Sequence, residues 1–374
     1  MLDPEQLERA GDMVARVYQG IEAEMLDILV RAMVEGDGVT ELTVSAAALL
    51  GQTHYAELRE VIRSHAGEVD EELRKTVESH LKASDEADMA VLGSTEAKWP
   101  RQVEETVQGV ARILARDNVA MVQGAVDAFF SASAEAITRV NTGSMTAERA
   151  LHSAVRRLER QGIGIISYRN TATGTVTVRN QVDVAVRRHV RTQIAQDGAR
   201  LTLRQMEGSG VSLVEVTSHA DSRPEHAAWQ GRVYSLKGDV TIDGKRYRDF
   251  YEATGYGTVT GLMGANCRHS FGPYIHGAPR LYEADPKHAS GLDGETVYKY
   301  EQRQREQERS IRAWKREVRG AKLEGDEEAV ASAKSGLRQS QARMRQLIEK
   351  ANSESVTGEP VLFRNPAREW AGDA

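Results

Sequence analysis

Four histidines, His219, His226, His269 and His276, share one stretch of the chain with Asp221, Arg223, Asn266 and Cys267, the sole cysteine in 374 residues. The stretch opens as H-x-D-x-R-x-x-H-x-x-W-Q-G, from His219 through Trp229, Gln230 and Gly231. About 35 residues later comes G-x-N-C-R-H, where Arg268 separates Cys267 from His269. These residue types fit three chemistries. His219, His226, Cys267 and His269 offer the nitrogen and sulfur donors that zinc takes. Residues two apart on a strand point the same way, so Cys267 and His269 can address one ion. The spacing, however, matches no standard zinc signature. Alternatively, a histidine could activate the Cys267 thiol as a nucleophile, with Arg268 beside it.

The third chemistry is structural. Here Cys267 is a small buried hydrophobe, His219 and His226 donate ring N–H groups to loop carbonyls, and Asp221 and Arg223 pair locally or cap backbone groups. Trp229 then anchors the loop in the core. A long irregular segment needs such partners, because its backbone groups have no ladder to satisfy them. This is the reading the residues favour.

Composition bounds what surrounds the cluster. Net charge is −6 and the sequence pI about 6.0, which argues against whole-chain coating of nucleic acid but leaves room for local basic patches. Aromatics make up 5% and charged residues 28%, a helix-rich composition with few bulky core residues. One cysteine excludes an internal disulfide and any zinc site needing two thiolates from this chain. No apolar run approaches the roughly 20 residues needed to span a bilayer. "MLDPEQLERA" lacks the layout of a secretory signal, so the expected place of synthesis is a cytoplasm, with no membrane partner.

The elements that must position the cluster read as follows. Leu7, Ala10, Val14, Val17, Ile21, Met25 and Ile28 recur at helical steps, predicting one helix over 4–34 with Asp3 as N-cap and Pro4 at its first position. Helical periodicity continues to about 160, through the long Ala-rich run ending "AEAITRV" and a shorter helix from Ala147 to Gln161 closed by Gly162. The first 100 residues carry about a dozen more acids than bases, a solvated face or a docking surface for a basic partner. "IGIISY" and "GTVTVRN" predict a hairpin, "SLVEVTS" and "RVYSL" predict strands, and "VTIDGKRY" predicts a second hairpin around Asp-Gly. Residues 249–280 are Gly-rich, which serves tight turns, but no P-loop spacing is present. Residues 297–350 read as one charged helical stretch, polar nearly all round, of the kind that bridges to a partner or supercoils with one. Arg187, Arg188 and Arg191, and the arginines of 303–319, are candidate contacts for DNA phosphates; solvated helix faces are the simpler reading.

Taken together, the expected fold is α+β: an acidic helical region for docking and assembly (1–160), a small mixed α/β domain with the Gly-rich His/Cys loop (161–290), and a charged helical segment with a tail (291–374). At this point the chain resembles the phage minor capsid protein 2 family, related to MuF-like head morphogenesis proteins. The matching stretches are "VAVRRHVRTQ", "VEVTSHADSRPEHAAWQGRVYS", "YRDFYEATGYGTVTGLMGANCRHSFGPYIHG" and "YKYEQRQREQERSIRAWKR", preceded by "NTGSMTAERALHSAVRRLERQGIGIISY", so the resemblance covers roughly 140–320. Met263 stands in the "GLMG" turn where the family often has a cysteine, which weakens a metal site built on two thiols. The resemblance implies a low-copy structural protein of a tailed-phage virion. It is made in the bacterial host cytoplasm beside the portal protein and other head proteins, sits in multiple copies at or near the portal vertex, and is in reach of packaged DNA. It implies head assembly or DNA ejection without enzymatic turnover, and His219, Asp221, Arg223, His226, Trp229, Gln230, Gly231, Asn266, Cys267, Arg268 and His269 as a motif core. No cofactor follows; zinc, on the His/Cys set, is the one alternative.

Overall fold

A computed structural model describes residues 1–35, 53–169, 176–264 and 266–370. Helix α1 (Pro4–Arg9) starts as the sequence predicts: the Asp3 side chain accepts from Glu5 N at 2.8 Å, and Pro4 holds the first position. The single helix expected over 4–34 is instead two. The chain breaks at Gly11, whose φ is +88°, and α2 (Asp12–Glu35) begins after it. The cause is a close approach that apolar periodicity does not encode: a Cβ on Gly11 would lie 3.0 Å from Val190 Cβ and 3.2 Å from Arg187 O.

Next come α3 (Tyr55–Ser64), α4 (Ala66–Leu92) and α5 (Trp99–Asn141). At 43 residues and 1.5 Å rise per residue, α5 is about 64 Å long. Helix α6 (Ala147–Gln161) is capped by Thr146 and closed by Gly162, as expected. The first hairpin follows, β1 (Gly164–Arg169) on β2 (Val176–Gln181), antiparallel.

Helix α7 (Val182–Met206) sits at the centre, against α2, α4 and α5. It is buried on nearly every side, so it carries no amphipathic stripe, and its buried set mixes Val186, Val190, Ile194 and Leu201 with Asp183, Arg188, Arg191 and Asp197. The apolar core built around it runs from Leu2 to Phe271 and draws on residues on both sides of position 160.

The site-bearing part is a three-stranded antiparallel sheet in the order β4–β3–β7, from β3 (Leu213–Val216), β4 (Val233–Ser235) and β7 (Phe271–Tyr274). Between these strands lie one turn of helix, α8 (Pro224–Ala227), the predicted Asp-Gly hairpin of β5 (Val240–Ile242) and β6 (Lys245–Tyr247), and the short α9 (Phe250–Thr254).

The charged stretch 297–350 is helical as expected and forms two helices, α10 (Gly294–Glu324) and α11 (Glu327–Ser353), packed on each other through a turn at Gly325. The partner that α10 wants lies within the same chain. Arg319 makes two 2.6 Å bonds to the carboxylate of Asp27, Arg312 lies 3.6 Å from Asp183, and Arg316 lies 3.6 Å from Glu22 while donating to Glu159 O at 2.8 Å. Part of the acidity of the N-terminal helices is therefore neutralised inside the protein. A short 3-10 turn, Pro366–Glu369, brings the chain back against α2.

Candidate functional site

Two loops leave the three-stranded sheet side by side, one after β3 and one before β7, and their first rungs bind them together. Thr217 N donates to Ser270 O at 3.0 Å, and Ser270 N donates to Thr217 Oγ1 at 2.9 Å. From the first loop, Arg223 acts as N-cap and Pro224 starts α8, which delivers His226 inward. From the second, Asn266 takes φ +59°, a left-handed turn Asn tolerates better than most residues. That turn and the bond from Cys267 N to Gly264 O aim Cys267 and His269 at the same point as His226.

All three side chains are buried. The Cys267 sulfur lies 3.6 Å from His269 Nδ1 and 3.9 Å from His226 Nδ1. Both rings are held from behind. His226 Nε2 donates to Thr260 O at 3.3 Å, and His269 Nε2 donates to Gln230 Oε1 at 2.9 Å. Gln230 must present its oxygen there, because the same atom accepts from His219 N at 3.2 Å. Trp229 closes the cluster, 4.6 Å from the His226 ring and 4.8 Å from that of His269. His219 does not join the Cys267 triad: it stacks on His269 at 4.4 Å and turns Nδ1 to Asp221 at 2.8 Å, rather than to a loop carbonyl. His276 bonds the Tyr247 hydroxyl at 2.7 Å instead.

Burial sets the protonation states. It lowers His226, and with the neighbouring His219 and His226 it lowers His269 well below an ordinary imidazole. It raises the Cys267 thiol, the reverse of what a nucleophile requires.

Beside this neutral triad lies a charged hub that the sequence did not announce. Asp221, Glu8 and Glu301 converge so that their oxygens lie within 4.8 Å of one another. Arg268 fills their centre, bonding Glu8 and both Asp221 Oδ2 and, at 3.3 Å, Asp221 O, with Glu301 3.8 Å away. The guanidinium already supplies the cation such a group of carboxylates needs. Glu8 comes from α1 and Glu301 from α10. Glu8 gave no local signal, whereas Glu301 lies in the 298–316 stretch already matched to the family.

The carboxyls of the hub respond to pH in opposite directions. Burial opposes ionisation of Glu8 and Asp221, but Arg268 and Arg368 for the first, and His219 and Arg268 for the second, outweigh it and hold both carboxyls far below the usual range. Their contribution is present at neutral pH and lost as pH falls below about 4. Glu301 goes the other way: burial, then the Asp221 charge, push it up to about 8. A raised carboxyl favours the folded state while protonated, so stability falls as pH rises from about 5 through about 8. Glu301→Gln fixes the neutral form. It is expected to unfold nearly like the parent at pH 4.5 but to be more stable than it at pH 8.5, by up to about 4 kcal/mol, read from urea midpoints at the two pH values.

The basic cluster on α7 faces inward. Arg187 donates to Asp12 at 2.6 Å, Arg191 donates to Glu8 O at 2.5 Å, and Arg188 is buried with His189 beside it. Gly231 lies where the chain passes under residues 283–284.

With this geometry in hand, the model of one protein family, phage minor capsid protein 2, matches residues 2–349. The chain belongs to that family. This minor capsid relative is therefore a structural protein of a phage head. Two curated relatives, both named "Structural protein", agree. One, from Lactococcus phage LL-H, is 31% identical over 183 residues, 48% of this chain and 43% of the relative; the other, from Lactococcus phage mv4, is 30% identical over 103 residues, 28% of this chain and 80% of the relative. The chain thus matches less than half the length of the LL-H protein. No solved structure matches it. Among the described residues no helix is long and apolar enough to cross a membrane.

Proposed function

We propose that this minor capsid protein works at the portal vertex of a tailed-phage head, in several copies around the portal ring, as an assembly component without turnover. The observation that carries the reading is the family match across residues 2–349. The division of labour we infer has the helices dock and the sheet with its loops serve as a stiff unit.

Two features support it. Exposed charge lines the outer helices: Lys334, Arg338, Arg343, Arg345 and Lys350 on α11, and Glu57, Glu60, Glu68 and Glu71 on α3 and α4, where they pair locally with His54, Arg63, His65 and Lys75. Such faces steer and orient charged partners. And the thiol is buried with its pKa raised, so it offers no ready nucleophile. Contact with packaged DNA forms no part of the proposal, since Arg187 and Arg191 spend donors on Asp12 and Glu8.

Co-expression with the portal protein of the same phage, followed by native mass spectrometry, tests it. The expected result is a complex carrying several copies of this chain per portal ring, weakened by raised salt. Separate elution at every ratio, together with absence of the chain from purified particles, would rule the reading out.

A further inference from the structure

We infer that His226, Cys267 and His269 form a binding site for one divalent zinc-like ion, which clips the two loops of the sheet together. Such a site is independent of where in the virion the protein sits.

Thr260 O can only accept, so His226 carries its proton on Nε2; Gln230 Oε1, fixed by His219 N, imposes the same tautomer on His269. Both neutral rings therefore turn a bare Nδ1 lone pair toward Cys267 Sγ. The thiol has one hydrogen to give and two nitrogens facing it. Without a further occupant one buried ring nitrogen stays unmet, an arrangement that costs about 1–3 kcal/mol. A positive ion meets all three atoms at once. The second acceptor behind each ring is the outer-shell support that metal-ligating histidines ordinarily have, here a backbone carbonyl and a side-chain amide.

Zinc bonds of about 2.3 Å to sulfur and about 2.0–2.1 Å to nitrogen, set at the tetrahedral angle, place sulfur and nitrogen about 3.6 Å apart. The His269 separation is 3.6 Å and the His226 separation 3.9 Å. Closing the second needs a few tenths of an ångström, and His226 rides on a four-residue helix between loops. A mixed thiolate and imidazole set selects zinc over magnesium or calcium. On binding, the Cys267 S–H bond breaks, its proton leaves to solvent, and the sulfur and both Nδ1 lone pairs go to the ion. The chain provides three ligands, and water completes the fourth position. His219 is not one of them, because its Nδ1 is committed to Asp221. The Glu8, Asp221 and Glu301 group is not a competing site, since Arg268 already occupies it.

The test uses the full chain without a histidine tag. Elemental analysis of the purified protein is expected to find one equivalent of zinc. After chelator treatment, titration with cobalt(II) should give the intense visible bands of a four-coordinate ion together with thiolate-to-cobalt charge transfer in the near ultraviolet, saturating at one equivalent. Cys267→Ser should remove the charge-transfer band and most of the affinity, and zinc should raise the melting temperature of the parent but not of this variant. Should Cys267→Ser fail to fold, the parent alone decides. Folded parent that takes up no zinc overturns the inference, as does cobalt uptake with no thiolate band, which would place the ion on other side chains.

Discussion

Replacing Arg268 with methionine is expected to destabilise the protein by about 3–5 kcal/mol, the largest effect of any single side-chain truncation at the site. The figure is the usual cost of removing one partner from a buried ion pair and leaving the other uncompensated. Arg268 has more than one partner. Its guanidinium bonds Glu8 on α1 and Asp221 in the loop after β3, and approaches Glu301 on α10. Without it, the Asp221 carboxylate would face Glu301 with only His219 bonded to it, while Glu8 would keep Arg368 at 3.0 Å. Lysine is a poor substitute, because it lacks the planar fork whose two separate nitrogens bond Glu8 and Asp221; Arg268→Lys should recover less than half of the loss. Adding Asp221→Asn to the methionine variant should recover part of it, since it removes one stranded charge. Urea unfolding at pH 7 of the two single variants and the double variant measures the coupling directly. Near-additive behaviour would mean that Arg268 and Asp221 do not act as a unit.

The same hub shows where sequence reading reached its limit. Residues near each other along the chain were legible: the His219 to Gly231 block, the Asn266 to His269 block, the Asp-Gly hairpin, the cap at Asp3 and the end of α6 at Gly162. Each is fixed by local rules of turn, cap and period. Glu8 was not legible, because it meets Arg268 across 260 positions of chain and nothing around it distinguishes it from the other acids of the first helices. The break at Gly11 was hidden for a related reason. The apolar residues on both sides keep helical spacing, and only the approach of Val190 from α7 demands the kink. For α10, the sequence correctly showed a helix too polar to stand alone. What it could not show was that Asp27, Glu22 and Asp183 of the same chain are its partners, so a polar surface was read where there is a charged interior. The central helix α7 was legible as a helix in "QVDVAVRRHVRTQIAQDGARLTLRQM", but not its place at the centre, because burial on nearly every side erases the stripe that would mark an inward face.

Gly231→Ala is the second large effect, and it tests whether the two loops and the segment beyond β7 form one rigid body. Gly231 has φ +59°, so any side chain there carries about 1–2 kcal/mol of backbone strain. The methyl group also has nowhere to go: an added Cβ would sit 1.9 Å from Glu283 O and 2.9 Å from Ala284 N. Those are backbone atoms, and they are pinned. The buried Glu215 carboxylate accepts from Leu281 N and Tyr282 N at 3.0 Å, and Arg280 donates to Gly231 O itself at 3.1 Å. Room for a methyl therefore requires this segment to lift off the sheet, adding an overpacking cost of about 1–3 kcal/mol. The expected total is about 2–5 kcal/mol, with new protease cleavage near 280–284 in the folded variant. Gly208→Ala is the control, because Gly208 also has positive φ, +78°, but nothing lies within 4 Å of its Cβ position; it should show the strain alone. If the two variants melt together, the segment over Gly231 yields freely, and the idea of a stiff loop unit docked by flanking helices loses its mechanical basis.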